Sequence, residues 1–151
     1  MFVYIRDVIK PDVIFWTGDN SPHVIWKNSE DEVVGATYNI SMMIQEIFRP
    51  GQTKVSIIPI NGNHDMFPAN KQDFTAGEDM TEFTTYGVLW KEMGWLTEKE
   101  QLQYKKYGFY SKDFTLKNGK AYPNTRIIAI NTMSCFIENF ELLKSRFDPG
   151  D

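Results

Sequence analysis

The chain has one cysteine and two histidines in 151 residues. Cys135 therefore has no disulfide partner in this sequence, and His23 and His64 are its only imidazoles. Basic residues are also scarce: 16 Lys and Arg stand against 20 Asp and Glu, for a net charge of −4 and a pI near 5.2. No basic stripe appears, so nucleic-acid binding is not expected. Lys99, Lys105 and Lys106 read as a solvated helix face. No apolar run approaches the length of a transmembrane helix. Met1-Phe2-Val3-Tyr4-Ile5 is too short for a signal-peptide core, and Arg6-Asp7 interrupts it. Repeats, low-complexity tracts and linkers are absent. What is present is core material, 42% hydrophobic and 15% aromatic residues, in a chain of single-domain length.

Two short apolar runs, β-branched and aromatic, read as strands buried on both faces. Val13-Ile14-Phe15-Trp16-Thr17 is bounded by Pro11-Asp12 and Gly18. Val55-Ser56-Ile57-Ile58-Pro59-Ile60 is bounded by Pro50-Gly51 and Gly62. Between them, the spacing of Ile40, Ile44, Ile47 and Phe48 marks one face of a helix from about Glu30 to Phe48, stopped by Arg49-Pro50-Gly51. Strand, helix, strand predicts a right-handed βαβ unit with parallel strands. Ligands of such sheets sit beyond the carboxyl ends of the strands.

Both predicted strand ends carry ligand-type residues. Gly18-Asp19-Asn20 follows the first and Gly62-Asn63-His64-Asp65 the second. Carboxylate and amide oxygens bind hard or borderline divalent metals. A carboxylate shared by two ions can hold them about 3.5–4 Å apart, the separation used for in-line displacement at phosphorus. Each residue also has a plainer reading. Gly-Asp-Asn is ordinary turn chemistry, Gly62-Asn63 can be a turn, and His23 can simply hydrogen-bond in its loop.

These blocks resemble the calcineurin-like metallophosphoesterases, which carry Gly-Asp-x and Gly-Asn-His-Asp/Glu on successive strand ends. Trp16 to His23 with Trp26, and Gly62 to Asp65 with Pro68 and Asn70, are similar to the acid sphingomyelinase branch. So are Gly108-Phe109-Tyr110-Ser111, Arg126 to Thr132, and Cys135 through Glu138-Asn139-Phe140 to Asp148-Pro149. The resemblance implies a partial α/β/β/α sandwich and two divalent metal ions, with zinc the implied metal. It matches Asp19 to the bridging carboxylate and Asn63 to an amide-oxygen ligand. His64 matches the histidine that contacts the phosphate and assists the leaving oxygen, and His23 a further histidine near the metals. The implied substrate is a phosphodiester, a sphingomyelin-like lipid or a nucleotide, with transient membrane-surface contact. The implied location is secreted or lysosomal.

The family's Asp-x-His block before Asp19 and its histidines after His64 have no counterpart here. The chain is therefore expected to be a single partial catalytic domain, 1–151, truncated at both ends, with an uncovered sheet face and edge that favour self-association. Three functions are compatible with the residues: a sphingomyelinase-like phosphodiesterase, a phosphatase or nucleotide phosphodiesterase on the same scaffold, and a non-catalytic remnant. Cys135 reads either as a buried free thiol or, from the resemblance, as half of a disulfide to a cysteine outside this chain. Asn39-Ile40-Ser41 is a glycosylation pattern.

Elsewhere, Asn70 to Thr85 reads as a long polar loop. Phe83 to Lys91 and Thr97 to Tyr107 read as helices, the second with a Thr97/Glu100 capping box. Gly108 to Leu116 and Arg126 to Asn131 read as strands joined by a turn at Asn118-Gly119, and Phe140 to Phe147 as a short helix. The tryptophans Trp16, Trp26, Trp90 and Trp95 are expected to pack in the core, as are Met42 and Met43.

Overall fold

The structure, a computed structural model, describes residues 1–48, 55–74, 81–115 and 120–144. A helical turn, α1 (Phe2–Tyr4), continues as a π-helical turn over Ile5–Ile9 and ends at Lys10 in the left-handed region, φ 51°. Strand β1 (Val13–Trp16), helix α2 (Glu30–Ile47) and strand β2 (Ser56–Pro59) follow. β1 and β2 pair in parallel, Val13 opposite Ser56 and Trp16 opposite Pro59. The βαβ reading of the sequence is therefore correct in its pairing, and both strands deliver their following turns to one end of the sheet.

Local chemistry explains the boundaries of α2. The Ser29 side chain accepts the Glu32 N–H while the Glu32 carboxylate takes the Ser29 N–H at 2.8 Å, a reciprocal cap. Glu30, Asp31 and Glu32 sit in the first turn, where the helix dipole favours negative charge. The buried face runs Val33, Thr37, Ser41, Ile44 and Phe48, with Ile40 and Ile47 partly buried beside it. Met42 and Met43 fall outside that stripe and are exposed, contrary to the core position expected of them.

Helices α3 (Thr81–Glu92) and α4 (Glu98–Tyr107) form the next layer. The expected loop from Asn70 thus ends earlier than Thr85, because Thr81 to Thr85 already belong to α3. The capping box of α4 is present: Thr97 accepts the Glu100 N–H, and the Glu100 carboxylate takes the Thr97 N–H at 2.7 Å. A second sheet pairs β3 (Tyr110–Thr115) with β4 (Ala121–Ala129) antiparallel, Tyr110 opposite Ala129, with an irregularity between Asp113 and Thr115. β4 starts earlier than expected and stops short of Asn131. The Asn131 side chain instead accepts the Met133 N–H and caps the 3₁₀ turn Thr132–Cys135. A further 3₁₀ turn covers Phe140–Leu143 in place of the start of the expected helix. The helix stop at Arg49-Pro50-Gly51, the turn at Asn118-Gly119 and the Asp148-Pro149 block lie outside the described residues.

The core joins α2, β2, α3, α4 and β3 through Ile44, Phe48, Ile57, Ile58, Phe83, Tyr86, Trp90, Tyr104 and Tyr110. β2 is buried as expected. β1 is not: it has one partner strand among the described residues, and Phe15 is 61% exposed. Trp90 and Trp95 are buried and Trp16 stacks edge-on against both, whereas Trp26 is 73% exposed and belongs to no core.

Three buried tyrosines hold the far end of β2. Tyr110 donates its hydroxyl to the Pro59 carbonyl at 2.7 Å, Tyr104 to the Asn61 side-chain oxygen at 2.8 Å, and Tyr86 to the Asp65 carbonyl at 2.6 Å. Burial raises all three phenol pKa values, so each stays a neutral donor. The aromatic core is in this way tied by directional bonds to the turn that carries Asn63 and His64.

Candidate functional site

The two turns beyond β1 and β2 lie against each other, and glycine makes that approach possible. Gly18 has φ 79°, and a Cβ there would run into the Gly62 amide nitrogen and the Asp65 carboxylate. A Cβ on Gly62 would run into the Asp19 carboxylate. Asp19 itself is left-handed, φ 58°, a conformation that Asp tolerates better than most residues. The chain therefore turns away sharply after β1 and leaves the Asp19 side chain exposed.

The fully buried Asp65 carboxylate joins the turns. Its Oδ2 accepts the N–H of Asp19 at 2.8 Å and of Gly62 at 2.7 Å. Its Oδ1 accepts the N–H of Asn20 at 2.8 Å, the Asn20 amide at 3.0 Å and, more weakly, the Thr37 hydroxyl at 3.3 Å. Burial raises the Asp65 pKa, while the amides of Asn20, Gly62 and Asp19 pull it down and the nearby Asp19 charge adds to the rise. Asn20 is held in turn by the Trp16 indole N–H at 3.0 Å. The Ser21 hydroxyl closes the assembly on the His64 carbonyl at 2.7 Å.

All four residues singled out in the sequence are in this assembly. The Oδ1 of Asp19 accepts the backbone N–H of His64 at 3.1 Å, tying the candidate bridging carboxylate to the candidate phosphate-contacting residue. The His23 and His64 rings lie 4.7 Å apart, centre to centre, tilted by 38°. The Nδ1 of His64 is buried and has no hydrogen-bond partner among the described residues. Asn63 opens the 3₁₀ turn Asn63–Asp65 and donates its side-chain NH₂ to the Asn70 side-chain oxygen at 2.7 Å. The Asn70 N–H returns to the Asn63 carbonyl at 2.9 Å, so the loop through the cis Phe67–Pro68 bond closes on itself.

A divalent ion would find suitable but incomplete coordination here. Asp19 and Asn63 offer oxygen donors of the right type on neighbouring strand ends. Among the described residues, however, no group of three or more His, Cys, Asp or Glu side chains could hold a metal ion. The donor set fits a metal in kind and falls short of it in number.

Three participants stand in the motif blocks but were given no role by reading the sequence. Asp65 is the junction of the two turns, and Asn70 and Glu138 stand behind Asn63: the Asn70 NH₂ donates to the Glu138 carboxylate at 3.2 Å. Within Gly-Asn-His-Asp only the asparagine and histidine were assigned roles, and nothing local signals that the aspartate bonds back to residues 45 and 46 positions earlier. Cys135 is an exposed free thiol, so the buried alternative is wrong. Asn39 is exposed on α2 and Ser41 is buried.

Comparison with known proteins agrees with the motif blocks. No protein-family model matches the chain. It is 29% identical over 140 residues to sphingomyelin phosphodiesterase B of Dictyostelium discoideum, covering 93% of this chain and 20% of that protein. It is 31% identical over 142 residues to human acid sphingomyelinase-like phosphodiesterase 3b, covering 93% of this chain and 28% of the relative. It is also 29% identical over 150 residues to an endopolyphosphatase of Candida glabrata, covering 92% of this chain and 21% of that protein. The chain thus spans between a fifth and somewhat over a quarter of the length of these relatives. Over nearly all of its own length, this α/β chain is similar to the acid sphingomyelinase-like phosphodiesterases, in agreement with the resemblance its motif blocks carry.

Proposed function

We propose that this chain supplies part of the active centre of a metal-dependent phosphodiesterase acting on a sphingomyelin-like phosphodiester. The observation that carries the reading is the convergence of Asp19, Asn63 and His64 on two parallel strand ends joined by Asp65. The names of the relatives, phosphoric diester hydrolases for the most part, support the reaction class.

Asp19 and Asn63 would hold divalent metal, zinc on the resemblance, together with ligands from outside the described residues. Metal bound there would supply Lewis-acid polarisation of phosphoryl oxygens and lower the pKa of a water enough to make hydroxide available as the nucleophile. His64 acts on the leaving side, offsetting charge on the departing oxygen or protonating it. His23, whose ring lies 4.7 Å from it, would add a second imidazole near the substrate phosphate. The left-handed Asp19 turn presents the carboxylate outward for coordination. We assign the 151 residues to one partial catalytic domain. A secreted or lysosomal location follows from the same kinship, and no described helix is long and apolar enough to cross a membrane.

A second reading, cleavage of a terminal or anhydride phosphate on the same scaffold, draws on the endopolyphosphatase relative. Hydrolysis of sphingomyelin and of nucleotide or polyphosphate substrates, measured side by side with and without a chelator, separates the two. Chelation abolishes turnover in either case. Asn63→Ala is expected to lower turnover, and an unchanged rate removes Asn63 from the metal site.

A further inference from the structure

The hydrogen bonds behind Asn63 have a direction, and the residue that sets it is distant in sequence. A carboxylate accepts hydrogen bonds and cannot donate them, whereas an amide side chain can present either its oxygen or its NH₂ to a neighbour. Glu138 accepts from the Asn70 NH₂ at 3.2 Å. That contact obliges the Asn70 oxygen to point the other way, where it accepts the Asn63 NH₂ at 2.7 Å. The Asn63 amide is thereby fixed in turn: its NH₂ faces Asn70, and its oxygen, the atom a metal would bind, faces away from that bond. No hydrogen bond to that oxygen occurs among the described residues. The backbone bond from the Asn70 N–H to the Asn63 carbonyl at 2.9 Å holds the two residues in place while their side chains are oriented.

We infer that Glu138 and Asn70 are positioning residues that fix which end of the Asn63 amide is offered to metal. The inference rests on the reading of Asn63 as a ligand and extends it. Without Glu138, Asn70 can turn over with little penalty, and Asn63 can then present NH₂, a donor that repels a cation. Partners that orient a ligand in this way typically account for about 10–100-fold in metal affinity.

The test is zinc binding to the purified protein, measured by titration calorimetry with zinc ion alone, with the thermal unfolding midpoint followed in parallel. Asn63→Ala establishes whether the oxygen is a ligand at all. Glu138→Gln keeps size and removes the acceptor-only end, and is expected to weaken zinc binding by between about twofold, the value for two equally populated amide orientations, and the roughly 10–100-fold range of orienting partners, at an unchanged midpoint, since Glu138 is exposed. The double variant Asn70→Asp with Glu138→Gln moves the carboxylate one step along the chain. Asp at 70 accepts from Asn63, Gln at 138 donates to it, and the Asn63 amide is again held oxygen outward at the same net charge. It is expected to recover most of the lost affinity, which a purely structural role would not predict. If Asn63→Ala weakens binding and Glu138→Gln does not, the positioning inference is overturned while the ligand reading stands. A double variant no better than Glu138→Gln also overturns it. Zinc binding unaffected by Asn63→Ala overturns the ligand reading and this inference with it.

Discussion

The Asp65 carboxylate accepts the backbone N–H of Asp19 at 2.8 Å, joining two turns separated by 46 residues of chain. The same buried carboxylate also accepts the N–H groups of Asn20 and Gly62, so one side chain bonds to both turns.

Asp65→Ala would leave the N–H groups of Asp19, Asn20 and Gly62 without their acceptor. At about 1–3 kcal/mol for each buried group left unpaired, the loss of stability is expected to exceed ~3 kcal/mol. Asp65→Asn keeps the volume and one acceptor oxygen and should fall between that and the parent. Urea denaturation midpoints check both. A change within experimental error for Asp65→Ala would mean that the turns hold their positions without it.

Gly62→Ala places a methyl group against the Asp19 carboxylate. The strain is expected to cost about 1–3 kcal/mol and, because the atom displaced is the candidate ligand, to weaken zinc binding as well. Gly35→Ala is the control: a Cβ there meets nothing within 4 Å, so zinc binding should not change. Calorimetric titration of the two variants decides.

Removing the Thr97 hydroxyl, by Thr97→Ala, takes away the acceptor for the Glu100 N–H at the start of α4 and should cost about 1 kcal/mol. Glu100→Ala should cost more. It removes the carboxylate that caps Thr97 and leaves Lys112, 3.6 Å away and mostly buried, without its counter-charge. Thermal denaturation ranks the two, and equal effects would show that the Lys112 pairing contributes nothing.

His64→Ala is expected to lower the turnover of a phosphodiester substrate by about 10²–10⁴-fold, the range for loss of a positioned acid–base group. The fold should be little affected, because its turn is held through backbone groups: the His64 N–H to Asp19 and the His64 carbonyl to Ser21. Retained turnover with an unchanged circular dichroism spectrum would exclude His64 from the reaction.

The exposed Phe15 on β1 and Ile128 and Ile130 at the end of β4 leave apolar surface open to solvent on both sheets. The 151-residue chain expressed by itself is expected to self-associate. Elution as a compact monomer in gel filtration would contradict this.

The sequence was most legible where structure is local. Apolar runs ending in Gly18 and Gly62, the helix stripe at Ile44 and Phe48, and the Thr97/Glu100 cap each depend on neighbours within a few positions. So does the placement of Asp19 and Asn63 at strand ends. It was least legible where burial depends on what lies opposite. Phe15, Trp26, Met42 and Met43 are apolar residues whose exposure follows from the packing of other elements against one side only. Asp65, Asn70 and Glu138 were visible in the motif blocks without a role for a related reason: their roles exist only once residues far apart in the chain are brought together.

The junction at Asp65 grips its turns largely through main-chain amides, which every substitution except proline preserves. The side chain at 64, whose turn is held through its backbone groups, can therefore be exchanged without dismantling the frame that presents it. A variant at 64 should keep the two turns in register, separating loss of the imidazole from loss of the fold. The same frame could accept a different set of ligands, and so a different metal, with few compensating changes.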